Sequence, residues 1–444
     1  MLKTSISYSR IWSIAYPIII GSVAQNVINV TDTAFLGRLG EVALGGGAIG
    51  GLFYLAVIMF GWGFGVGTQI VIARRNGEQA YRSIGRTVEH TLLFLLPLAL
   101  VLFVLIKVFD KRILQSILES EGVFKTSLSF LDYRVWGLFF AFTNFTFRAF
   151  YVGIARTKVI TVTTIAMVLV NVVLDYALIF GKLGLPNMGV QGAALASVIA
   201  EATSTIAFIV FTLSRVNLKK YRLFYFVAFS PQLLARLLKV AFPIMLQNVF
   251  SFSVWFVFFL IIEKMGESAL AISNIVRSVY VVLLIPIMGF ASATNTLVSF
   301  VIGQNRSNEV LSLVRKIALI CTAGAAFLSA VCAFFPEVIL SVYTNNASLI
   351  SIGLPVLRVV SVASVLLALA NILFNGVSGT GKTRVSLIME LVILASYLGL
   401  TYLLAVVLEQ PITIVWTVEI FYAAILSIAS YVYLQSNRWV GANV

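Results

Sequence analysis

Long apolar stretches recur along the whole chain and are separated by short polar connections. A helix that crosses a bilayer needs about 20 mostly apolar residues, whereas the strands of a membrane barrel alternate over about ten. The continuous stretches therefore predict an all-α integral membrane protein with twelve spans, six in each half. The predicted spans are 11–36, 43–73, 87–109, 130–152, 159–181, 189–213, 237–262, 269–302, 315–336, 352–378, 385–408 and 412–435.

The two halves resemble one another at a constant offset of 226 residues. Residues 15–18 (AYPI) pair with 241–244 (AFPI), and residues 40–44 (GEVAL) pair with 266–270 (GESAL). Because each repeat holds an even number of spans, the copies are parallel, which is typical of bundles related by a pseudo-twofold axis along the membrane normal. We predict an N-terminal six-helix bundle over 1–213, a cytoplasmic linker over 214–236 and a C-terminal six-helix bundle over 237–444.

Composition and charge agree with a membrane protein, since 60% of the residues are hydrophobic and 11% are charged. The net charge is +14, but 20 of the Lys and Arg residues lie at the termini and in every second connection, against about nine on the other side. By the positive-inside rule both termini are cytoplasmic, and the basic surplus is explained by topology and anionic lipid. We expect a monomer in the plasma (inner) membrane, with lipids as neighbours and no nucleic-acid partner.

Metal-ligand spacing is absent from the sequence, because there is one histidine and the two cysteines, Cys321 and Cys332, share one predicted span far from any acid. No metal and no cofactor are expected.

Residues 376–383 (GVSGTGKT) match the P-loop pattern letter for letter. A working P-loop follows a strand and opens a helix of an α/β sheet, whereas this motif lies between two apolar spans. At the repeat offset, residues 153–158 share its glycine, threonine and two basic positions without the pattern. We interpret the match as accidental and predict that the protein is not an enzyme, with an ATP-driven pump as the rival from another class.

Polar residues form three stripes at helical spacing in the first half of the chain. The stripes are Gln25, Asn29 and Asp32 on the first predicted helix, Asn171 and Asp175 on the fifth, and Ser197 and Glu201 on the sixth. At the repeat offset Asp32 falls on Phe258 and Asp175 on Thr401, so the second half lacks both acids. An ionised aspartate at mid-membrane costs about 2.5 to 3.5 kcal/mol and usually serves an ion or proton. The pattern predicts a coupling-cation site in the first bundle alone, with the second bundle as the moving wall of the cavity.

A purely structural role for these acids stays open. Asp32 lies near Arg38 and Asp175 near Lys182, so each carboxylate can instead pair with a basic group close to a helix end.

Three further ionisable residues are interpreted more simply. Glu390 lies close enough along its helix to reach Lys382 or Arg384, and Glu419 is ambiguous. His90 is expected to be a solvated residue at a cytoplasmic helix end.

Several segments together resemble the multidrug and toxic compound extrusion (MATE) transporters, over essentially the whole chain. They are Pro17 and Gln25 followed by 32–40 (DTAFLGRLG), the Gly153 and Gly379 connections, 171–176 (NVVLDY) and 189–194 (GVQGAA). The resemblance implies two six-helix bundles and export of amphipathic, often cationic compounds, driven by inward proton or sodium flow.

Within that family the chain is similar to the DinF branch, whose first-bundle acids carry the coupling cation. The resemblance implies a cation site of Asp32, Asp175, Asn171 and Ser197, the last standing where threonine is usual. It implies cavity positions at Gln25 and Asn144, to which we add Asn29 and Glu201, and a bend of the first helix near Pro17. A lipid or lipid-linked oligosaccharide flippase of the same superfamily is the alternative function.

Overall fold

A computed structural model describes residues 6–226 and 229–441 of the chain, and these residues are predominantly helical. The helices are α1 (Tyr8–Arg38), α2 (Glu41–Gly77), α3 (Tyr81–Ile117), α4 (Glu121–Arg134), α5 (Gly137–Gly153), α6 (Lys158–Phe180), α7 (Gly189–Arg215), α8 (Leu218–Tyr221), α9 (Pro231–Glu263), α10 (Glu267–Gly303), α11 (Val310–Phe334), α12 (Pro336–Ser341), α13 (Ala347–Gly379), α14 (Thr383–Tyr402), α15 (Ile412–Val415) and α16 (Val418–Gln435). A 3₁₀ turn at Ser307–Glu309 and a π turn at Leu403–Val407 complete the elements, and the described ranges contain no β-strand.

Eleven helical stretches in the described residues are long and apolar enough to cross a membrane. They correspond to eleven of the twelve predicted spans. The remaining one, 130–152, falls on α4 and α5, which have 14 and 17 residues and are therefore each shorter than the roughly 20 that a span needs. The prediction of an all-α membrane protein is confirmed, and the fourth predicted helix is a broken pair.

The break between α4 and α5 lies at Val135 and Trp136. Here the Trp136 amide donates to the Tyr133 carbonyl at 3.2 Å, and the Leu138 amide donates to the Val135 carbonyl at 3.1 Å. Both bonds reach back three residues instead of the four of a continued α-helix, so the turn tightens locally. As a result α4 ends at Arg134, and this charged side chain lies at a helix terminus.

The repeat is visible in the backbone. Helices α2 and α10 are both 37 residues long and begin at the equivalent positions Glu41 and Glu267. Each follows a glycine with positive φ, 111° at Gly40 and 106° at Gly266. Because side chains rarely tolerate this conformation, both copies keep glycine at the same turn.

The described residues form two compact units whose division falls inside helices. The N-terminal unit is Tyr16–Met245, and the C-terminal unit combines the described residues before Tyr16 with those from Leu246 onward. Helices α1 and α9 therefore each contribute to both units, and the divisions lie beside the repeat-related Pro17 and Pro243. Residues 227–228 of the predicted linker, and 1–5 and 442–444 of the predicted bundles, lie outside the described residues.

The first part of α1 packs within the C-terminal unit, and the first part of α9 packs within the N-terminal unit. In the C-terminal unit, the ring of Trp12 packs edge-on against Phe290 with centroids 5.2 Å apart. In the N-terminal unit, α2 approaches Ala241 of α9 so closely at Gly67 that a β-carbon there would collide.

Candidate functional site

Asp32, Asn171 and Asp175 meet between α1 and α6 of the N-terminal unit. Asn171 and Asp175 are one turn apart on the same face of α6 and are fully buried, while Asp32 on α1 is half-buried. The carboxyl groups of Asp32 and Asp175 lie within hydrogen-bonding reach of one another. The structure thus brings together three of the four residues predicted for the cation site.

This cluster lacks hydrogen-bond donors from the rest of the described chain. Asp32 Oδ1, both carboxylate oxygens of Asp175 and both polar atoms of the Asn171 amide are buried without a partner. Buried polar groups are normally satisfied, because each unmade hydrogen bond costs about 1 to 3 kcal/mol and more for a charged group. Five such atoms at one place indicate a site that is completed by something other than protein.

The chemistry of the cluster favours a proton or a small cation. Two ionised carboxylates in contact repel one another in a medium of low dielectric constant, and the pair becomes favourable when it shares a proton or binds a positive ion. Asn171 adds a neutral amide oxygen beside Asp175. Groups of three or more His, Cys, Asp or Glu side chains able to hold a metal do not occur among the described residues.

A tight ion pair lies beside the cluster. Arg134, at the end of α4, donates to both carboxylate oxygens of Glu201 on α7, at 2.6 and 3.0 Å. The Tyr54 hydroxyl donates to the same carboxylate at 3.2 Å, and the Arg134 guanidinium lies 3.7 Å from the centre of the Tyr54 ring. Arg134 also interacts electrostatically with Asp32, so it links the ion pair to the acid cluster.

Gly137 makes this ion pair possible. A β-carbon at Gly137 would collide with the Arg134 guanidinium and the Glu201 carboxylate, and would lie 2.9 Å from the Tyr54 hydroxyl. Sequence reasoning missed Arg134 and Gly137. The available signal was an arginine three residues before a glycine inside a mostly apolar predicted span.

The remaining predicted site residues are distributed around the N-terminal unit. The Asn144 amide donates to the Glu201 main-chain carbonyl at 3.0 Å and accepts from the Thr205 hydroxyl at 2.9 Å, so it holds α5 against α7. Ser197 is buried on α7, while Gln25 and Asn29 are exposed on α1. Glu201 forms the ion pair with Arg134, and its predicted place in the substrate cavity stays a prediction.

Comparison with known proteins decides the family. The MatE family model matches residues 17–177 and 243–407, which is more than half of the chain. This chain belongs to the MatE family.

The relatives extend over nearly the whole length. A probable multidrug resistance protein NorM of Synechocystis sp. is 25% identical over 393 residues, which are 85% of this chain and 83% of the relative. A solved outward-facing multidrug resistance MATE family transporter of the MOP superfamily matches with a TM-score of 0.89 at 19% identity, over 96% of this chain and 95% of that one.

A second solved structure, a MOP superfamily transporter from Pyrococcus furiosus, matches with a TM-score of 0.88 at 19% identity, over the same shares of the two chains. Its description states that a reversed polarity of the binding pocket suggests a different function for that protein. At these identities the two structures establish the fold.

Membership of the MATE family makes this chain a multi-pass membrane transporter and not an enzyme, as predicted. The structure around the P-loop match also argues against nucleotide binding. Residues 376–379 form the last turn of α13 rather than a loop after a strand. At Gly379 the helix approaches the main-chain carbonyl of Asn295, where a β-carbon would lie at 2.9 Å. Close packing of α13 on α10 explains that glycine.

Pro17 lies inside α1, which is continuous from Tyr8 to Arg38. The Thr161 hydroxyl of α6 donates to the Pro17 carbonyl at 2.7 Å. A proline removes one helical hydrogen bond, and this side-chain bond ties α1 to α6 at the same level. The bend expected at Pro17 stays a prediction.

Two interpretations of ionisable residues were wrong. Glu390 does not reach Lys382 or Arg384; its Oε1 accepts hydrogen bonds from Ser251 at 3.1 Å and Tyr422 at 2.8 Å. Sequence distance suggested a partner close by along the chain, whereas the rotation of α14 directs the Glu390 side chain towards α9 and α16.

His90 is buried rather than solvated. Its Nδ1 lies 2.8 Å from the Arg86 carbonyl, and its Nε2 accepts from the Ser230 amide at 2.9 Å. Neighbouring Glu89 accepts from the amides of Tyr225 and Phe226. The two side chains bind the main chain at Tyr225, Phe226 and Ser230 to α3, and both are buried at this helix end.

Proposed function

We propose that this MATE family member is a secondary active multidrug efflux transporter that exports amphipathic or cationic compounds in exchange for protons. The observation that carries the proposal is the set of five buried, unpartnered polar atoms of Asp32, Asn171 and Asp175. A site that must be loaded to be stable is suited to coupling, because loading and release change the stability of the surrounding helices.

The descriptions of the relatives support the proposed class of transported compound. Two proteins that align with this chain over most of its length are each described as a probable multidrug resistance protein NorM. Asp32 on α1 and Asp175 on α6 support the finer assignment to a DinF-like branch, in which these acids couple cation entry to export. Ser197 and Asn171 complete the proposed site with a hydroxyl and an amide, and Gln25, Asn29 and Asn144 are proposed to line the substrate cavity.

The proposed mechanism is alternating access. A proton on the Asp32–Asp175 pair removes its charge repulsion and lets α1 approach α6. Release of that proton on the opposite side of the membrane restores the repulsion. Helix α1 lacks one internal hydrogen bond near Pro17 and can bend there. Cargo and proton therefore occupy the protein at different stages of the cycle.

The proposed setting follows from the charge distribution. We propose that the protein works as a monomer in the plasma (inner) membrane with both termini in the cytoplasm, because the basic residues concentrate on that side. Proton entry from outside would then drive export.

The experiment compares ethidium efflux from energised vesicles that contain wild-type protein, Asp32→Asn or the matched control Asp132→Asn. Asp132 carries an exposed carboxylate paired with Lys107 at 2.5 Å, so the same change there leaves the cluster intact. We expect Asp32→Asn to reduce gradient-driven efflux to the level of empty vesicles and Asp132→Asn to match the wild type. Retained, gradient-dependent efflux in Asp32→Asn would refute the coupling role.

The same vesicles distinguish the other candidates. Efflux that follows an imposed sodium gradient and ignores a pH jump would assign sodium as the coupling ion. Absence of dye efflux together with movement of a labelled lipid between leaflets would favour the flippase function.

A further inference from the structure

The C-terminal unit contains two buried acids that the proposed coupling site does not use. Glu390 on α14 and Glu419 on α16 are each 3% exposed. Neither is at the repeat position of Asp32 or Asp175, which are occupied by Phe258 and Thr401. At the repeat offset Glu390 falls on Thr164 and Glu419 on Ala193, so the first half has no acid at either position.

Helices α14 and α16 exchange hydrogen bonds through these acids. Tyr422, one turn beyond Glu419 on α16, donates to Glu390 Oε1 at 2.8 Å. Tyr397, two turns beyond Glu390 on α14, donates to Glu419 Oε1 at 2.8 Å. Each helix thus presents an acid and a tyrosine on one face, and each acid accepts from the tyrosine of the other helix.

Two more helices contribute donors. Tyr280 on α10 donates to Glu419 Oε2 at 2.8 Å, and Ser251 on α9 donates to Glu390 Oε1 at 3.1 Å. Both oxygens of Glu419 are therefore satisfied. Glu390 Oε2 is different, because it is buried and has no hydrogen-bond partner.

Positive charge is missing from this network. Within the described part of the chain no Lys, Arg or His nitrogen forms an ion pair with either glutamate. On the adjoining helices, Arg277 of α10 stacks over the Phe259 ring at 4.9 Å, and Arg358 of α13 is exposed. Besides these, the ionisable groups facing the acids are the three tyrosines, which donate as neutral hydroxyls.

We propose that Glu390 and Glu419 form a second proton-binding site, in the C-terminal unit, with the proton carried on Glu390 Oε2. An ionised carboxylate at that oxygen would be buried with neither a donor nor a counter-ion, whereas the neutral acid removes the charge. Binding takes a proton from hydronium, forms the Oε2–H bond and releases water.

The ligand is a proton rather than a metal cation because of where the hydroxyls point. The four donors converge on Glu390 Oε1 and on both oxygens of Glu419, so Oε2 offers a single oxygen to a ligand. Hard metal cations require several oxygens in their coordination shell, while a proton needs one. This proton site is additional to the proposed proton exchange at Asp32 and Asp175, and the two are tested separately.

The test is infrared difference spectroscopy of the purified full-length protein between acidic and alkaline pH, which reports the carbonyl band of each protonated carboxylic acid. Glu390→Gln is compared with Glu337→Gln, a matched change at an exposed glutamate near the start of α12. We expect Glu390→Gln to lose one carboxylic-acid band and Glu337→Gln to keep it. An unchanged set of bands in Glu390→Gln would overturn the proposal.

A second variant covers the case in which Glu390→Gln does not fold. Tyr422→Phe leaves Glu390 in place but removes a donor to its Oε1, so the same band should remain and move to higher frequency. A band that is absent or unmoved in Tyr422→Phe would also overturn the proposal. Asp32→Asn should leave this band unaltered, so failure of the efflux hypothesis and failure of this one are separately visible.

Discussion

The two units bury carboxylates in opposite ways. In the N-terminal unit, Asp32 and Asp175 face one another with three of their four oxygens buried and unpartnered, while the nearby Arg134 is engaged by Glu201. In the C-terminal unit, tyrosine and serine hydroxyls satisfy three of the four oxygens of Glu390 and Glu419 without any cation.

The Asp32–Asp175 site needs a bound proton or cation to satisfy its oxygens, whereas the Glu390–Glu419 site has most of its oxygens satisfied by protein hydroxyls. A carboxylate pair without donors changes its repulsion strongly when it gains or loses a proton, so it can drive a conformational change. Two carboxylates that are each held by hydroxyls from two helices change less, because their environment is built from neutral donors. The first arrangement suits a coupling site, and the second suits proton storage within a stable core.

The largest effect on stability is expected when Arg134 is removed. Arg134→Gln leaves the Glu201 carboxylate buried without its cation, and loss of one partner of a buried pair typically destabilises by about 3 to 5 kcal/mol. The measurement is the midpoint of thermal unfolding in detergent. The double variant Arg134→Gln/Glu201→Gln should recover most of the loss; if it does not, the arginine has a role beyond neutralising Glu201.

A smaller effect is expected from the steric constraint on the same ion pair. Gly137→Ala places a methyl group against Arg134 and Glu201 and should destabilise by about 1 to 3 kcal/mol. Gly51→Ala on α2 is the control, since a β-carbon there meets no atom within 4 Å. Equal unfolding midpoints for the two variants would show that the pair can move away from α5.

The smallest effect is expected in the C-terminal unit. Tyr397→Phe removes one donor to Glu419 and should destabilise by about 0.5 to 1.5 kcal/mol, because Tyr280 still donates to the other oxygen. Tyr402→Phe, at an exposed tyrosine on the same helix, should leave the unfolding midpoint unchanged. A loss as large as that of Arg134→Gln would mean that the two units do not differ as described.

Sequence pattern was sufficient for features that depend on one helix at a time. Helical spacing placed Asn171 and Asp175 on one face, and the repeat offset paired residues 40–44 with 266–270, where the structure has equivalent turns at Gly40 and Gly266. Both depend on local geometry, which the order of residues along the chain determines directly.

Features that depend on two helices were not accessible. Arg134 and Glu201 are 67 residues apart, and Glu390 and Tyr422 are 32 apart, so their pairing depends on how neighbouring helices rotate about their axes. The interruption of the fourth span at Val135 and Trp136 was hidden because its residues are apolar enough for a continuous helix.

The most direct test of coupling by the first unit is proton movement during transport. Proteoliposomes with a pH gradient and an internal pH dye should show proton flux when ethidium is added to wild-type protein. Asp175→Asn should bind ethidium, measured by fluorescence anisotropy, and show no such flux. Ethidium-dependent proton flux at the wild-type rate in Asp175→Asn would contradict the assignment of Asp32 and Asp175 as the coupling pair.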